Sequence, residues 1–137
     1  MKKYVLDTCI CSYVIKQKPE TAKAIAENIV KHEKNKLFIT IFNHAELLTG
    51  VLLKESLILR KAVESFMERL NVMYFTESAS CEYAKIWSEL QKRGDILDDR
   101  NMLIAACCMA ENATLVTHNM KHFSSIKRLN LEDWTMV

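Results

Sequence analysis

Glycine and proline are nearly missing from this sequence: two Gly and one Pro occur in 137 residues. So small a share excludes Gly/Ser linkers, collagen-like repeats and low-complexity tracts, and it places most of the chain in regular helices and strands. Long hydrophobic runs are missing too. After two lysines, only "YVL" precedes Asp7, far short of a signal-peptide core. No segment reaches the roughly 20 apolar residues of a membrane span, so a soluble, cytoplasmic protein without membrane association is expected. No C-x-x-C pair is present among the five cysteines, Cys9, Cys11, Cys81, Cys107 and Cys108. An odd set of this kind reads as reduced, buried thiols and argues against a zinc site built from Cys9 and Cys11 with His118 and His122. A strong charge of either sign is also lacking. The net charge is +2, from 19 basic and 17 acidic residues, which permits nucleic-acid binding without indicating it.

What remains is a chain that is 50% hydrophobic and long enough for one compact domain, expected to span residues 1–137. "KKYVLD" and "KLFITI" (36–41) are β-rich runs, and "NVMYF" and "ATLVT" give a third and a fourth strand; "LNLEDW" could add a fifth. Between them, Thr8 to Lys18 and Pro19 to His32 read as helices, the second burying Ala22, Ile25, Ala26, Ile29 and Val30. "HAELLTGVLL" continues as a helix. Residues 55–70 form another, with Leu59, Val63, Phe66, Met67 and Leu70 on one stripe. From Glu77 to Arg93, Tyr83, Ala84, Trp87 and Leu90 recur at helical spacing, and Gly94 stands where a helix closes. Asp98 is a good N-cap for a helix running to Asn112, and "HNMKHF" reads as a polar turn. The alternation predicts a mainly parallel sheet of four to five strands, covered by helices on both faces in an α/β/α arrangement.

In an open α/β sheet, ligands bind at the carboxyl ends of the strands where the strand order reverses. Asp7 follows the first strand, Asn119 follows the fourth, Asn101 opens the helix leading into the fourth, and Glu46 lies in the helix after the second. These four side chains can converge on one rim, although caps and turns favour Asp and Asn for unrelated reasons. An oxygen-only cluster suits Mg²⁺ or Mn²⁺, and such a site suits hydrolysis of a phosphodiester. Basic residues gather at Lys16 and Lys18, at Lys54, Arg60 and Lys61, and at Lys121, Lys127 and Arg128. Of these, Lys121 and Lys127 are candidate nucleic-acid contacts if the lysines follow a strand across the rim.

"YVLDTCICSYVIK", "ITIFNHAELLTG", "DDRNMLIAACCMAENATLVTHNMKHF" and "LNLEDW" together resemble a PIN-domain ribonuclease of the VapC toxin type, over essentially the whole chain and in family order. The resemblance implies a PIN-like three-layer α/β/α fold and an Mg²⁺- or Mn²⁺-dependent endoribonuclease that cleaves RNA, often tRNA, and arrests translation. It also implies inhibition by a VapB-like antitoxin and a homodimer formed through residues 41–70. By position, Asp7, Glu46, Asn101 and Asn119 match the family's site, with Thr8 and Thr117 as supporting neighbours.

This chain departs from the family in two places. Cys9 stands where the family usually has Asn, and Asn101 stands where it has a catalytic Asp. Asn keeps the size of Asp but removes a charge, so metal affinity should fall while packing survives. Three readings of Asn101 stay open: an engineered replacement that tames a toxic nuclease, natural loss of activity, or compensation by Asp98 or Asp99 as metal ligands in the same turn. A catalytically inactive PIN module that binds RNA or antitoxin is the alternative function. A DNA nuclease is a third.

Overall fold

The computed structural model describes residues 2–16, 19–32 and 34–135. In chain order it contains β1 (Tyr4–Leu6), α1 (Thr8–Ile15), α2 (Pro19–Lys31), a 3-10 turn at Lys34–Lys36, β2 (Leu37–Thr40), α3 (Ile41–Lys54) and α4 (Leu57–Met67). It continues through β3 (Asn71–Met73), α5 (Glu77–Arg93), α6 (Asp99–Ala110), β4 (Thr114–Val116), α7 (Met120–Phe123) and β5 (Asn130–Glu132). Side-chain oxygens of Thr40, Ser56, Thr76 and Asp98 accept backbone N–H groups at the starts of α3, α4, α5 and α6, so several helix boundaries are written locally as N-caps. Gly94 ends α5 at φ +71°, a left-handed conformation that a residue with a Cβ adopts only at a cost.

The five strands form one parallel sheet in the order β3-β2-β1-β4-β5. Side chains alternate across it, as the strand pleat requires. Val5, Met73 and Leu115 face one core with Ala79, Ile86 and Leu90 of α5, Met102 and Ile104 of α6, and Phe123. Tyr4, Leu6, Leu37, Ile39 and Val116 face the other, against Ile10 of α1, Ile25 of α2, Leu47 of α3, and Val63 and Phe66 of α4. The result is a three-layer α/β/α sandwich. None of the described helices is long and apolar enough to cross a membrane.

The helix faces differ from expectation in places. In α2 the buried residues are Ala24, Ile25 and Ile29, while Ala26 is exposed and Val30 is 84% exposed. The stripe is rotated because only one side of this outer helix meets the sheet. In α5, Ile86 with Ala79 and Leu90 makes the buried face, leaving Ala84 exposed and Trp87 47% exposed. The segment "HNMKHF" contains the short helix α7, which turns Phe123 into the core. The helix from Thr8 is described only to Ile15, and Lys18 lies outside the described residues. Cys107 and Cys108 are both buried because α6 is covered on nearly every side.

Leu115 lies on β4, beside the central strand, and is fully buried. Leu115→Ala should lower the free energy of unfolding by about 2–5 kcal/mol. Urea denaturation with an unchanged slope is the check, and a loss below about 1 kcal/mol would mean that the core does not close over β4 as described.

Candidate active site

The chain runs outward from β1 to β2 and β3, then returns to place β4 on the other side of β1. The carboxyl ends of β1 and β4 therefore flank the point where the winding reverses, and the loops leaving them open a crevice. Asp7 follows β1 there, its backbone N–H bonded to the Val116 carbonyl at 2.9 Å. The residue is only 8% exposed. Oδ2 accepts from Thr117 Oγ1 at 2.9 Å, and Oδ1 accepts from Asn43 Nδ2 at 3.3 Å. Thr117 in turn accepts the Asn119 N–H at 3.0 Å. Donors on two other segments thus replace the water that burial removes from this carboxyl group.

Asn43 organises the opposite wall. Thr40 and Asn43 form a reciprocal capping box at the start of α3. Asn43 Oδ1 accepts from Thr40 Oγ1 at 2.7 Å and from Thr40 N at 3.1 Å, leaving Nδ2 free to donate to Asp7 and, at 3.0 Å, to Thr8 Oγ1. The Thr8 hydroxyl then donates to Glu46 Oε1 at 2.8 Å. Glu46 lies one turn further along α3 and turns Oε2 toward Arg100, whose Nη1 is 3.3 Å away.

The start of α6 closes the third side. Asp98 caps the helix by accepting the Arg100 N–H at 2.9 Å, which sets Arg100 and Asn101 in the first turn. A cleft of about 610 Å³ results, lined by Asp7, Glu46, Asn101 and Asn119 together with Thr8 and Asp98. Arg100, His122, Ile96 and Cys9 are further walls. Thr117 supports the floor from beneath, fully buried. Asp99 is not among the lining residues: its carboxylate accepts the Tyr83 hydroxyl on the α5 side. Lys121 and Lys127 are exposed and also lie outside the lining.

Asp7, Glu46, Asn101 and Asn119 offer oxygen donors only, the chemistry a hard divalent cation takes, and Mg²⁺ is often held by just one or two carboxylates. The set therefore fits such an ion, as a site with less charge than three carboxylates would give. Among the described residues no three His, Cys, Asp or Glu side chains come together as a ligand group. Cys9 Sγ is 3.7 Å from Asp7 Oδ2 and 3.6 Å from Thr117 Oγ1, and burial pushes its thiol above the ordinary value. A thiol kept protonated donates to Asp7 and makes a poor soft-metal ligand.

The sequence reading missed Asn43 as a buried support of this cleft and Arg100 and His122 as its walls. For Asn43 the signal was present in the Thr-x-x-Asn spacing of a capping box. For Arg100 and His122 nothing in the local pattern separates a cleft wall from a solvated surface.

The PIN domain family profile matches residues 4–129. Over 132 residues the chain is 36% identical to Ribonuclease VapC2 of Rickettsia felis, covering 96% of this chain and 97% of the relative. It is 29% identical over 137 residues to the tRNA(fMet)-specific endonuclease VapC of Salmonella typhimurium, covering 98% and 99%. Among solved structures, VapBC2 from Rickettsia felis bound to a DNA fragment from its promoter superposes with a TM-score of 0.82 at 34% identity, covering 96% of this chain and 98% of that one. The chain belongs to the PIN-domain family, as one of its VapC-type toxins.

Proposed function

We propose that this chain is a divalent-metal-dependent endoribonuclease, the toxin half of a toxin–antitoxin pair, acting on RNA in the cytoplasm and weakened by Asn101 at the position of a catalytic carboxylate. The observation that carries this reading is the meeting of Asp7, Glu46, Asn101 and Asn119, from four separate segments, in one cleft at the switch point of the sheet. Asp7 would hold a Mg²⁺ or Mn²⁺ ion, with Glu46, Asn101 and Asn119 as further oxygen donors. When bound, such an ion supplies positive charge to the phosphoryl oxygens and acidifies a coordinated water. Thr117 and Asn43 fix the two oxygens of Asp7, and Thr8 aims Glu46 into the cleft. Asp98 lines the same cleft but spends Oδ1 on the helix cap, which makes it the weaker substitute for a carboxylate at 101; Asp99 is held outside.

The name of the Salmonella relative supports tRNA as the substrate class, and exposed Lys121 and Lys127 would meet phosphates outside the cleft. The VapBC2 complex from Rickettsia supports a VapB-like antitoxin as partner. Leu52, Leu53, Leu57 and Ile58 are exposed on α3 and α4, an apolar surface within the segment assigned to a homodimer. A silent PIN module that binds RNA or antitoxin without cutting is the second reading. It draws on the neutral side chain at 101 and on the pairing of Glu46 with Arg100.

Asn101→Asp should raise Mn²⁺-dependent cleavage of a structured RNA by ~10²-fold or more, because it restores a charge aimed at the reacting centre. Thermal stability should barely change, since both residues suit a first helical turn. Absence of cleavage by either form with Mn²⁺ supplied would leave the silent module as the function.

Asp7→Ala should abolish cleavage and Mn²⁺ binding. It should also leave the far-ultraviolet circular dichroism spectrum intact, because the sheet and helix ladders do not use this side chain. Loss of the folded spectrum would make Asp7 a structural residue instead.

A further inference from the structure

Among the described residues, three carboxylates, Asp7, Glu46 and Asp98, line the cleft, and Arg100 is the one Lys or Arg among its lining residues. An RNA backbone entering here meets repulsion from all three and attraction from a single guanidinium. We infer that Arg100 binds a phosphodiester of the RNA in the cleft, and that Glu46 holds the guanidinium in place until RNA arrives. This rests on the reading of RNA as substrate.

The geometry supports the exchange. The backbone of Arg100 is held by the Asp98 cap at 2.9 Å, so its Cα belongs to the start of α6, while the side chain, 53% exposed, is held only by its pair with Glu46. Its contact with Glu46 joins Nη1 to one carboxylate oxygen at 3.3 Å, with side chains 53% and 33% exposed. A partly solvated, single-arm pair of this kind is weak and exchangeable. Guanidinium carries five donors in a planar fork, and this arm uses one of them, leaving an edge that matches two phosphate oxygens. Lys121 and Lys127, the basic residues that composition singles out, lie outside the lining and cannot take this role within the cleft.

The test is binding of a fluorescein-labelled single-stranded oligoribonucleotide in EDTA, read by anisotropy over a range of KCl concentrations. Working without metal separates binding from cleavage. Arg100→Gln should weaken affinity by ~10-fold and reduce the salt slope by about 0.7, the value for one phosphate contact on a single strand. Arg100→Lys should recover most of the slope but less of the affinity, since it keeps the charge and loses the fork. Glu46→Gln should tighten binding several-fold by releasing the guanidinium and removing a like charge. A merely structural ion pair predicts the opposite for Glu46→Gln, a weakening equal to that of Arg100→Gln. Affinity within about twofold of the unaltered chain, at unchanged slope, for Arg100→Gln would overturn the inference. If Arg100→Gln fails to fold on a thermal melt, the Lys and Glu46→Gln variants decide by the same criteria. Absence of RNA binding by the unaltered chain would overturn it as well, whereas the ribonuclease reading stands or falls separately on Mn²⁺-dependent cleavage by Asn101→Asp.

Discussion

A carboxylate on a residue that is only 8% exposed has to be held by donors that are themselves immobile, and the hydrogen bonds to Asp7 meet that requirement by tying three segments together. Thr117 follows β4 and Asn43 begins α3, so the Asp7 side chain links the end of β1 to the returning strand on one side and to the β2–α3 junction on the other. Asn43 is fully buried and uses both ends of its amide: the carbonyl for the Thr40 cap, the amine for Asp7 and Thr8. Buried polar networks are stabilising only when their members are all satisfied. Among the described residues no buried side-chain nitrogen or oxygen is left without a partner. Helix capping and cleft architecture are thus the same set of bonds, and the position of Glu46 follows from them through Thr8.

That coupling explains what could be read from the sequence. Every strand in the sheet is only three or four residues long, yet β1 to β4 were visible, because β-branched and aromatic residues cluster in short runs; β5, Asn130–Glu132, has neither residue type and stood only as a possible fifth. Parallel pairing followed from the strand–helix alternation, and the convergence of Asp7, Glu46, Asn101 and Asn119 on one cleft followed from the rule for strand ends. Helix faces were harder. Ala26, Val30, Ala84 and Trp87 lie at helical spacing, but α2 and α5 are outer helices, and which sector of an outer helix meets the sheet is set by docking geometry. Phe123 was lost inside a polar run because one apolar residue buries deeply when a short helix aims it inward. The lysines at 121 and 127 carried a compositional signal that burial and direction do not convert into a cleft wall.

Positions 100 and 101 are adjacent in the first turn of α6, and both change the electrostatics of the cleft in the same direction. A neutral amide at 101 removes one negative charge from a site built around Asp7 and Glu46, and the guanidinium at 100 neutralises part of what remains. Clustered carboxylates repel one another, so either change lowers the demand for an external cation. A cleft with Asp at 101 would hold four carboxylates against one guanidinium and would need divalent charge before a phosphodiester could approach. With Asn101, three carboxylates remain against that one guanidinium. On the proposed reading, the same two residues would reduce the capacity to hold a metal and the barrier to an anionic strand, so that affinity for RNA and power to cut it would be set by neighbouring side chains and could be separated from each other.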